Sequence, residues 1–236
     1  MEIKKLKNTD QIAEELAQLM LKIFSEKPKE KVHIALSGGN TPKLIFKYLT
    51  ETYGTKLANP LAHFWWGDDR CVPPTHPESN YKWAHELWLQ PIGVQIENIH
   101  RIIGENTPQL EASRYSTEIN NCIEQYNGIP RFDLILLGLG DDGHTASIFP
   151  QEMQLLTSEN WCEVATHPTS GQQRITITGR VLNNAQRVVF ISTGANKAEM
   201  IRNVAQKALP EFPASHIKPT NGETVWLIDE EAAKFL

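Results

Sequence analysis

With 236 residues, 40% hydrophobic and 22% charged, the chain is long enough to bury one large core, and residues 1–236 are expected to form a single domain. A net charge of −5 argues against a nucleic-acid partner, because phosphate-backbone binding draws on an excess of Lys and Arg; any anionic ligand has to be held by local donors. Cys71, Cys122 and Cys162 are odd in number, far apart and free of any C-x-x-C pair, so they read as reduced cytosolic thiols. The opening "MEIKKLKNTDQ" lacks the apolar core of a signal peptide and no run approaches a bilayer span, which leads to the expectation of a cytoplasmic protein without membrane contact.

In chain order, helix and strand signals alternate. "NTDQIAEELAQLMLKIF" opens with capping residues and places Ile12, Leu16, Leu19, Met20 and Ile23 on one helical face. "KVHIAL" is a short strand, "SGGNTP" a turn, and Pro42 is suited to start the helix "PKLIFKYLTETYG". "LAHFWW" is the next strand, and "GDDRCVPPTHPES" is expected to be loop throughout, too rich in proline for a regular element. From Pro108 a helix is expected to carry Tyr115, Ile119, Cys122, Ile123 and Tyr126. The strands "FDLILLG", "QRITIT", "RVVFIST" and "TVWLID" follow, with the helix "NKAEMIRNVAQKAL" between the last two and the surface loops "HPTSGQQ" and "PEFPASHIKPTNGE". Strands alternating with helices imply an α/β fold whose mostly parallel sheet is covered on both faces. In such sheets ligands bind at the carboxyl ends of the strands, so "SGGNTP", "GDDRCVPP", "GLGDDGHTAS" and "STGANK" are expected to converge on one edge.

Each of these loops has a plain and a chemical reading. "SGGNTP" is a tight turn, or a cradle of free N–H groups at a helix start that suits a phosphate; without G-x-x-x-x-G-K-[ST] it is no Walker loop. "ALSGG" also fits a relaxed nucleophile elbow, but Ser37 ends what reads as the first strand, before a hydrolase sheet exists for it to rest on. "GLGDDG" spells G-x-G-x-x-G, yet a pyrophosphate there would face Asp141 and Asp142, and Pro150 leaves almost no helix to supply a dipole. Asp142 could cap a helix. Its placement two residues before His144 also suits an acid that orients a histidine ring and fixes its tautomer, as a general base requires. Arg70 is either one half of an ion pair with Asp68 or Asp69, or a planar clamp for phosphate or sugar oxygens. Lys197 is either a solvated side chain or a phosphate donor at a helix start. His63, His76, His85, His100, His167 and His216 lack metal-ligand spacing and read as structural or solvent-facing, and Trp65, Trp66, Trp83 and Trp88 as core.

Together, "ALSGGNTP", "WWGDDRCVPPTHPESNY", "FDLILLGLGDDGHTASIFP" and "STGANKAEM", in this order and spacing, resemble the 6-phosphogluconolactonases, within the wider group that includes glucosamine-6-phosphate deaminases. The resemblance runs from the first of these strands through "TVWLIDEEAA". It implies a three-layer α/β/α sandwich and hydrolysis of 6-phospho-D-glucono-1,5-lactone to 6-phospho-D-gluconate in the pentose phosphate pathway. It also implies no metal and no cofactor, and as partner a small phosphorylated sugar lactone met by a monomer or weak homo-oligomer. By the same resemblance His144 is the catalytic histidine and Asp142 its supporting acid, while Ser37, Gly38, Gly39, Asn40, Thr41, Asp68, Arg70, Gly140 and Lys197 bind substrate. The lactonases commonly read Asp-Glu-Arg where this chain has Asp68, Asp69 and Arg70. Deaminases continue D-G-H-I-A-F-N-E-P, with a glutamate where this chain has Phe149, and a tyrosine where it has Arg70, so the lactonase reaction is the expected one, and a deaminase-type isomerase or a non-catalytic sugar-phosphate-binding protein the alternatives.

Overall fold

A parallel sheet needs apolar cover on both faces, and three strands of this one, Val32–Leu36, Ala62–Trp66 and Leu134–Leu137, are buried at every position. The computed structural model describes residues 1–236. The chain opens with a strand that the sequence reading did not anticipate, β1 (Glu2–Leu6). Next comes α1 (Thr9–Glu26), capped by the Asn8 side chain, which accepts the Gln11 N–H; Ala13, Ala17 and Phe24 complete its buried face, while Leu19 is half-buried. After β2 (Val32–Leu36), Gly39 takes a φ of 110°, a left-handed conformation open to glycine, and α2 (Asn40–Thr52) begins two residues before Pro42.

Next come β3 (Ala62–Trp66), β4 (Asp68–Arg70) and α3 (Asn80–Ala84), which continues as a π-turn over His85–Leu89. The helix α4 (Pro108–Cys122) stops short of the expected end. Ile123 is extended, and Tyr126 belongs to a small hairpin of β5 (Gln125–Tyr126) and β6 (Ile129–Pro130). Asn127 and Gly128, at φ 55° and 76°, make the tight turn between them that an Asn-Gly pair favours, and this local preference overrides the helical spacing. Then follow β7 (Leu134–Leu137), β8 (Cys162–Thr166), β9 (Gln173–Ile177), α5 (Gly179–Leu182) and β10 (Arg187–Ser192). A helical stretch of α6 (Ala198–Ile201) plus a π-turn over Arg202–Gln206 leads to β11 (Glu223–Asp229).

The central sheet has the order β1-β11-β10-β7-β2-β3, every pairing is parallel, and helices flank it, as a three-layer α/β/α sandwich requires. From β2 the chain winds outward to β3; it then returns to the other side of β2 with β7 and winds the opposite way through β10 and β11. The switch point therefore lies between β2 and β7, and the loops leaving these two strands diverge to leave a crevice. Two expectations change here. "QRITIT" is not part of the parallel sheet, and "GDDR" is not loop: β4, β9 and β8 form a separate antiparallel sheet. The two sheets meet at Gly67, whose N–H donates to Leu36 O (2.9 Å) in the first and whose carbonyl accepts from Ile177 N (2.8 Å) in the second.

A continuous core of 58 buried hydrophobic residues fills the space around the sheet, with Trp65, Trp66 and Trp88 fully enclosed; burying one large apolar side chain contributes about 1.5–3 kcal/mol. "PEFPASHIKPTNGE" was expected on the surface, yet Pro213, Ala214, Ser215 and Ile217 are buried, and Ala214 N donates to Gly143 O at 3.1 Å. No helix is long and apolar enough to cross a membrane. At the amino end of the strands, buried Asp133 accepts from Lys27 Nζ (2.7 Å), His33 N (2.8 Å) and Gln186 Nε2 (3.1 Å), which pins the start of β7 to β2.

Beside it lies an imidazole array that the sequence did not disclose. His100 Nδ1 donates to Glu118 Oε1 (2.7 Å), His63 Nδ1 to His100 Nε2 (2.9 Å), and Trp65 Nε1 to His33 Nδ1 (3.1 Å), while His33 stacks on His63 at 5.2 Å. Burial pushes His33 down to about 3, assisted by His63, His100 and the nearby Lys31 and Lys27. A histidine that titrates lower folded than unfolded takes up its proton on unfolding, so its stabilising effect is complete above about 6.5 and is lost as pH falls from there toward 3. We predict that between pH 7 and pH 5 this one group removes on the order of 1–2 kcal/mol, a few degrees in Tm. His33→Asn, which retains an acceptor for Trp65, should flatten that part of the Tm-against-pH curve; an unaltered slope would count against the assignment.

Candidate active site

The loops after β2, β3, β7 and β10 do converge. Ser37, Gly38, Gly39, Asp68, Arg70, Gly140, His144 and Lys197 line one cleft of roughly 280 Å³ at the carboxyl edge of the sheet, together with Asn80, Ala146 and Arg174. Asn40 and Thr41 stand behind it at the start of α2, where the Thr41 hydroxyl meets that of Thr193 at 2.7 Å. The N–H groups of Gly38, Gly39, Asn40 and Thr41 find no acceptor in the protein, so the turn presents unused donors at a helix start.

The loop after β7 folds on itself. Gly140 N donates to His144 O (2.8 Å), Gly143 N to Gly140 O (3.1 Å), and the Thr145 hydroxyl to Gly138 O (3.0 Å). The next helical segment, a 3-10 stretch, starts only at Pro150, so Asp142 caps no helix. Its Oδ1 instead accepts from His144 N (3.1 Å) and lies 2.6 Å from His144 Nδ1. Burial raises the Asp142 pKa, but the hydrogen bond and charge of His144 outweigh it and bring it down to about 2. An ionised carboxylate only accepts, so Nδ1 carries the proton and Nε2 presents its lone pair. Phe149, fully buried, packs against the imidazole with ring centroids 4.8 Å apart and planes at 54°. The ring is thus fixed by a hydrogen bond on one edge and an aromatic contact on another.

Neither Asp68 nor Asp69 forms an ion pair with Arg70. Asp69 is a buried structural acceptor for the N–H groups of Arg70 (2.8 Å), Asn80 (2.8 Å) and Tyr81 (2.9 Å) and the hydroxyl of Ser79 (3.2 Å). Burial pushes its carboxyl up to about 6 despite the backbone hydrogen bonds, which act the other way. Asp68 accepts from the Ser147 hydroxyl at 2.6 Å. Arg70 is held by Glu78 O (2.6 Å) and Asn80 Oδ1 (3.3 Å). It sits directly opposite Arg174 in the β4–β9 ladder, and the Nε–H groups of both arginines are buried without a partner. Like charges facing each other across a strand pair are unfavourable, and burying unpaired N–H groups adds to the cost; an anion between the two would relieve both. Lys197 Nζ donates to Leu139 O (2.7 Å) and to Asp141 Oδ1 (2.5 Å).

Residues 7–226 match the family described as glucosamine-6-phosphate isomerases/6-phosphogluconolactonase. The chain belongs to this family. It is 43% identical over 231 residues to the 6-phosphogluconolactonase of Haemophilus influenzae, covering 96% of this chain and 94% of that protein. The crystal structure of the devB protein superposes with a TM-score of 0.92 at 42% identity, covering 99% of this chain and 98% of that one. That of 6-phosphogluconolactonase from Leishmania guyanensis gives a TM-score of 0.87 at 26% identity, covering 99% and 97%. Within this family fold, six cleft-lining residues were not among the expected site residues: Gly138, Leu139, Asp141 and Ala146 in the loop after β7, and Asn80 and Arg174 outside it. Arg174 was passed over as part of a strand; its one visible signal is a charge among the Ile and Thr of "QRITIT". Burial lowers its pKa, with Asp68 opposing and Arg70 reinforcing that shift. Asn80 ties the cleft walls together, donating to Asp68 O at 2.9 Å and accepting from Arg70. Ala146 has a φ of 48°, a left-handed conformation for a non-glycine residue on the cleft wall.

Gly140 marks a close approach that no other residue permits. A Cβ there would stand 2.1 Å from His144 Nδ1 and 2.7 Å from Asp142 Oδ1, across the hydrogen bond that joins them. Gly140→Ala is therefore expected to part the pair. Proton NMR should show the downfield Nδ1–H signal of His144 lost or moved by more than about 1 ppm, while near-UV circular dichroism reports an intact fold. An unshifted signal would mean that the loop yields elsewhere.

Proposed function

We propose that the chain hydrolyses 6-phospho-D-glucono-1,5-lactone to 6-phospho-D-gluconate, a step of the pentose phosphate pathway, with His144 as general base. The observation that carries this reading is the Asp142–His144 pair, with its Nε2 lone pair available, in a cleft whose other walls bear Arg70, Arg174 and Lys197. Nε2 takes a proton from a water that attacks the lactone carbonyl carbon. The imidazolium so formed is stabilised by the ionised Asp142 and returns the proton to the ring oxygen as the C–O bond breaks. A positioned base of this kind contributes roughly a hundred- to ten-thousandfold, which suffices for an ester that also hydrolyses unaided.

The phosphate is assigned to the Ser37–Thr41 turn, Arg70, Arg174 and Lys197, with Asp68 and the Gly140 backbone left for the sugar oxygens. The free N–H groups of the turn and the unsatisfied arginine pair support the assignment. Phe149 favours the lactonase over the deaminase reaction. The isomerase chemistry moves a proton between sugar carbons and needs a further acid beside the histidine; the side chain against His144 is a phenyl ring with no proton to give. The same proposal places the enzyme in the cytoplasm, as one domain over residues 1–236 acting as a monomer or weak homo-oligomer. The continuous core and the three cysteines, none in a disulfide, support it.

Proton release from freshly made lactone tests the base: His144→Ala should lower kcat by roughly a hundredfold or more and leave binding of 6-phosphogluconate within about threefold. Near wild-type turnover would exclude His144 from the mechanism. For the phosphate, Arg70→Ala and Lys197→Ala should each raise KM for the phosphorylated lactone by roughly ten- to a hundredfold and affect unphosphorylated gluconolactone far less. Equal losses on both substrates would move the phosphate site elsewhere.

A further inference from the structure

Three aspartates stand at the cleft, and two are committed to partners inside it: Asp68 to Ser147, Asp142 to His144. Asp141 differs. Its side chain is 78% exposed, and its one hydrogen-bond partner is Lys197 Nζ, at 2.5 Å, which is itself only 20% exposed. The pair bridges the loops that leave the adjacent strands β7 and β10, and Lys197 is additionally fixed by Leu139 O at 2.7 Å. Counting the side chains that line or support the cleft, Arg70, Arg174 and Lys197 balance Asp68, Asp141 and Asp142, so the unliganded site is close to neutral with His144 uncharged.

A carboxylate placed so close to a cation at a phosphate cleft has to be accounted for. If it served only to position Lys197, the buried carbonyl of Leu139 would do part of that work without opposing an incoming anion. We propose that Asp141 is an internal competitor for the ligand phosphate: it neutralises Lys197 in the empty cleft and releases it only to an anion that attracts the ammonium more strongly. This deepens the function proposed above and rests on Lys197 being a phosphate ligand. The exchange costs little on the protein side. An exposed carboxylate regains its hydration when it swings away, so breaking the pair loses little. A phosphate dianion held at the same time by backbone N–H groups and two arginines can displace it, whereas a singly charged carboxylate or a neutral hydroxyl has less to offer. Asp141 thereby sets how much negative charge a ligand needs to engage Lys197, and it favours a phosphate dianion over singly charged anions.

Calorimetric titration with 6-phosphogluconate and with inorganic phosphate tests this on Asp141→Asn. The competitor role requires both ligands to bind roughly three- to tenfold more tightly, and the ratio of kcat/KM for phosphorylated over unphosphorylated lactone to rise by a similar factor. Weaker binding would make Asp141 a positioning group for Lys197 and overturn the proposal, as would unchanged binding. The double variant with Lys197→Ala separates this from failure of the phosphate assignment. If Asp141 acts through Lys197, its substitution has no effect in that background. If Lys197→Ala alone leaves phosphate binding untouched, the reading beneath the proposal fails first, and the proposal with it.

Discussion

The requirement that a parallel sheet be buried on both faces governs the molecule. It pushes the connecting segments over the two faces and delivers the chain, after each strand, to the same edge. Residues far apart in sequence meet there without any long-range pairing of their own: Ser37, His144 and Lys197 are neighbours because β2, β7 and β10 are. The reversal of winding between β2 and β7 then opens the space in which a ligand fits.

What occupies that edge is a balance of charge. The acids are close enough to the cations to neutralise the cleft as a whole, yet few of them pair directly. Asp69 is spent on backbone N–H groups, Asp68 on a hydroxyl and Asp142 on an imidazole. Arg70 and Arg174 are left facing each other with buried, unpaired N–H groups, an arrangement with a stability cost.

The parts legible in the sequence were those whose signal is local. "VHIAL", "AHFWW" and "LILL" announce buried strands by apolarity interrupted only by His33 and His63, and Asp142 and His144 lie two residues apart, so their pairing needs no tertiary structure to be suspected. The illegible parts depend on distant partners. β1, with Lys4 and Lys5 in "EIKKL", is an edge strand, where charge is favoured and continuous apolarity is not. β4 is three residues whose strand character comes wholly from pairing with β9, and Arg174 enters the cleft through that same pairing. The end of α4 was legible and misread: the Asn127-Gly128 turn signal was present, but the helical spacing of Ile123 and Tyr126 masked it.

Gly67 carries a mechanical consequence. One peptide-length residue gives its N–H to the parallel sheet and its carbonyl to the antiparallel one, so the two sheets are welded at the base of the cleft rather than joined by a pliable connector. A jaw with such a joint does not clamp by swinging its halves together, since that would tear a ladder bond on one side or the other. The parts of such a frame free to adapt are the lightest, the exposed ends of long side chains, which reorient within nanoseconds.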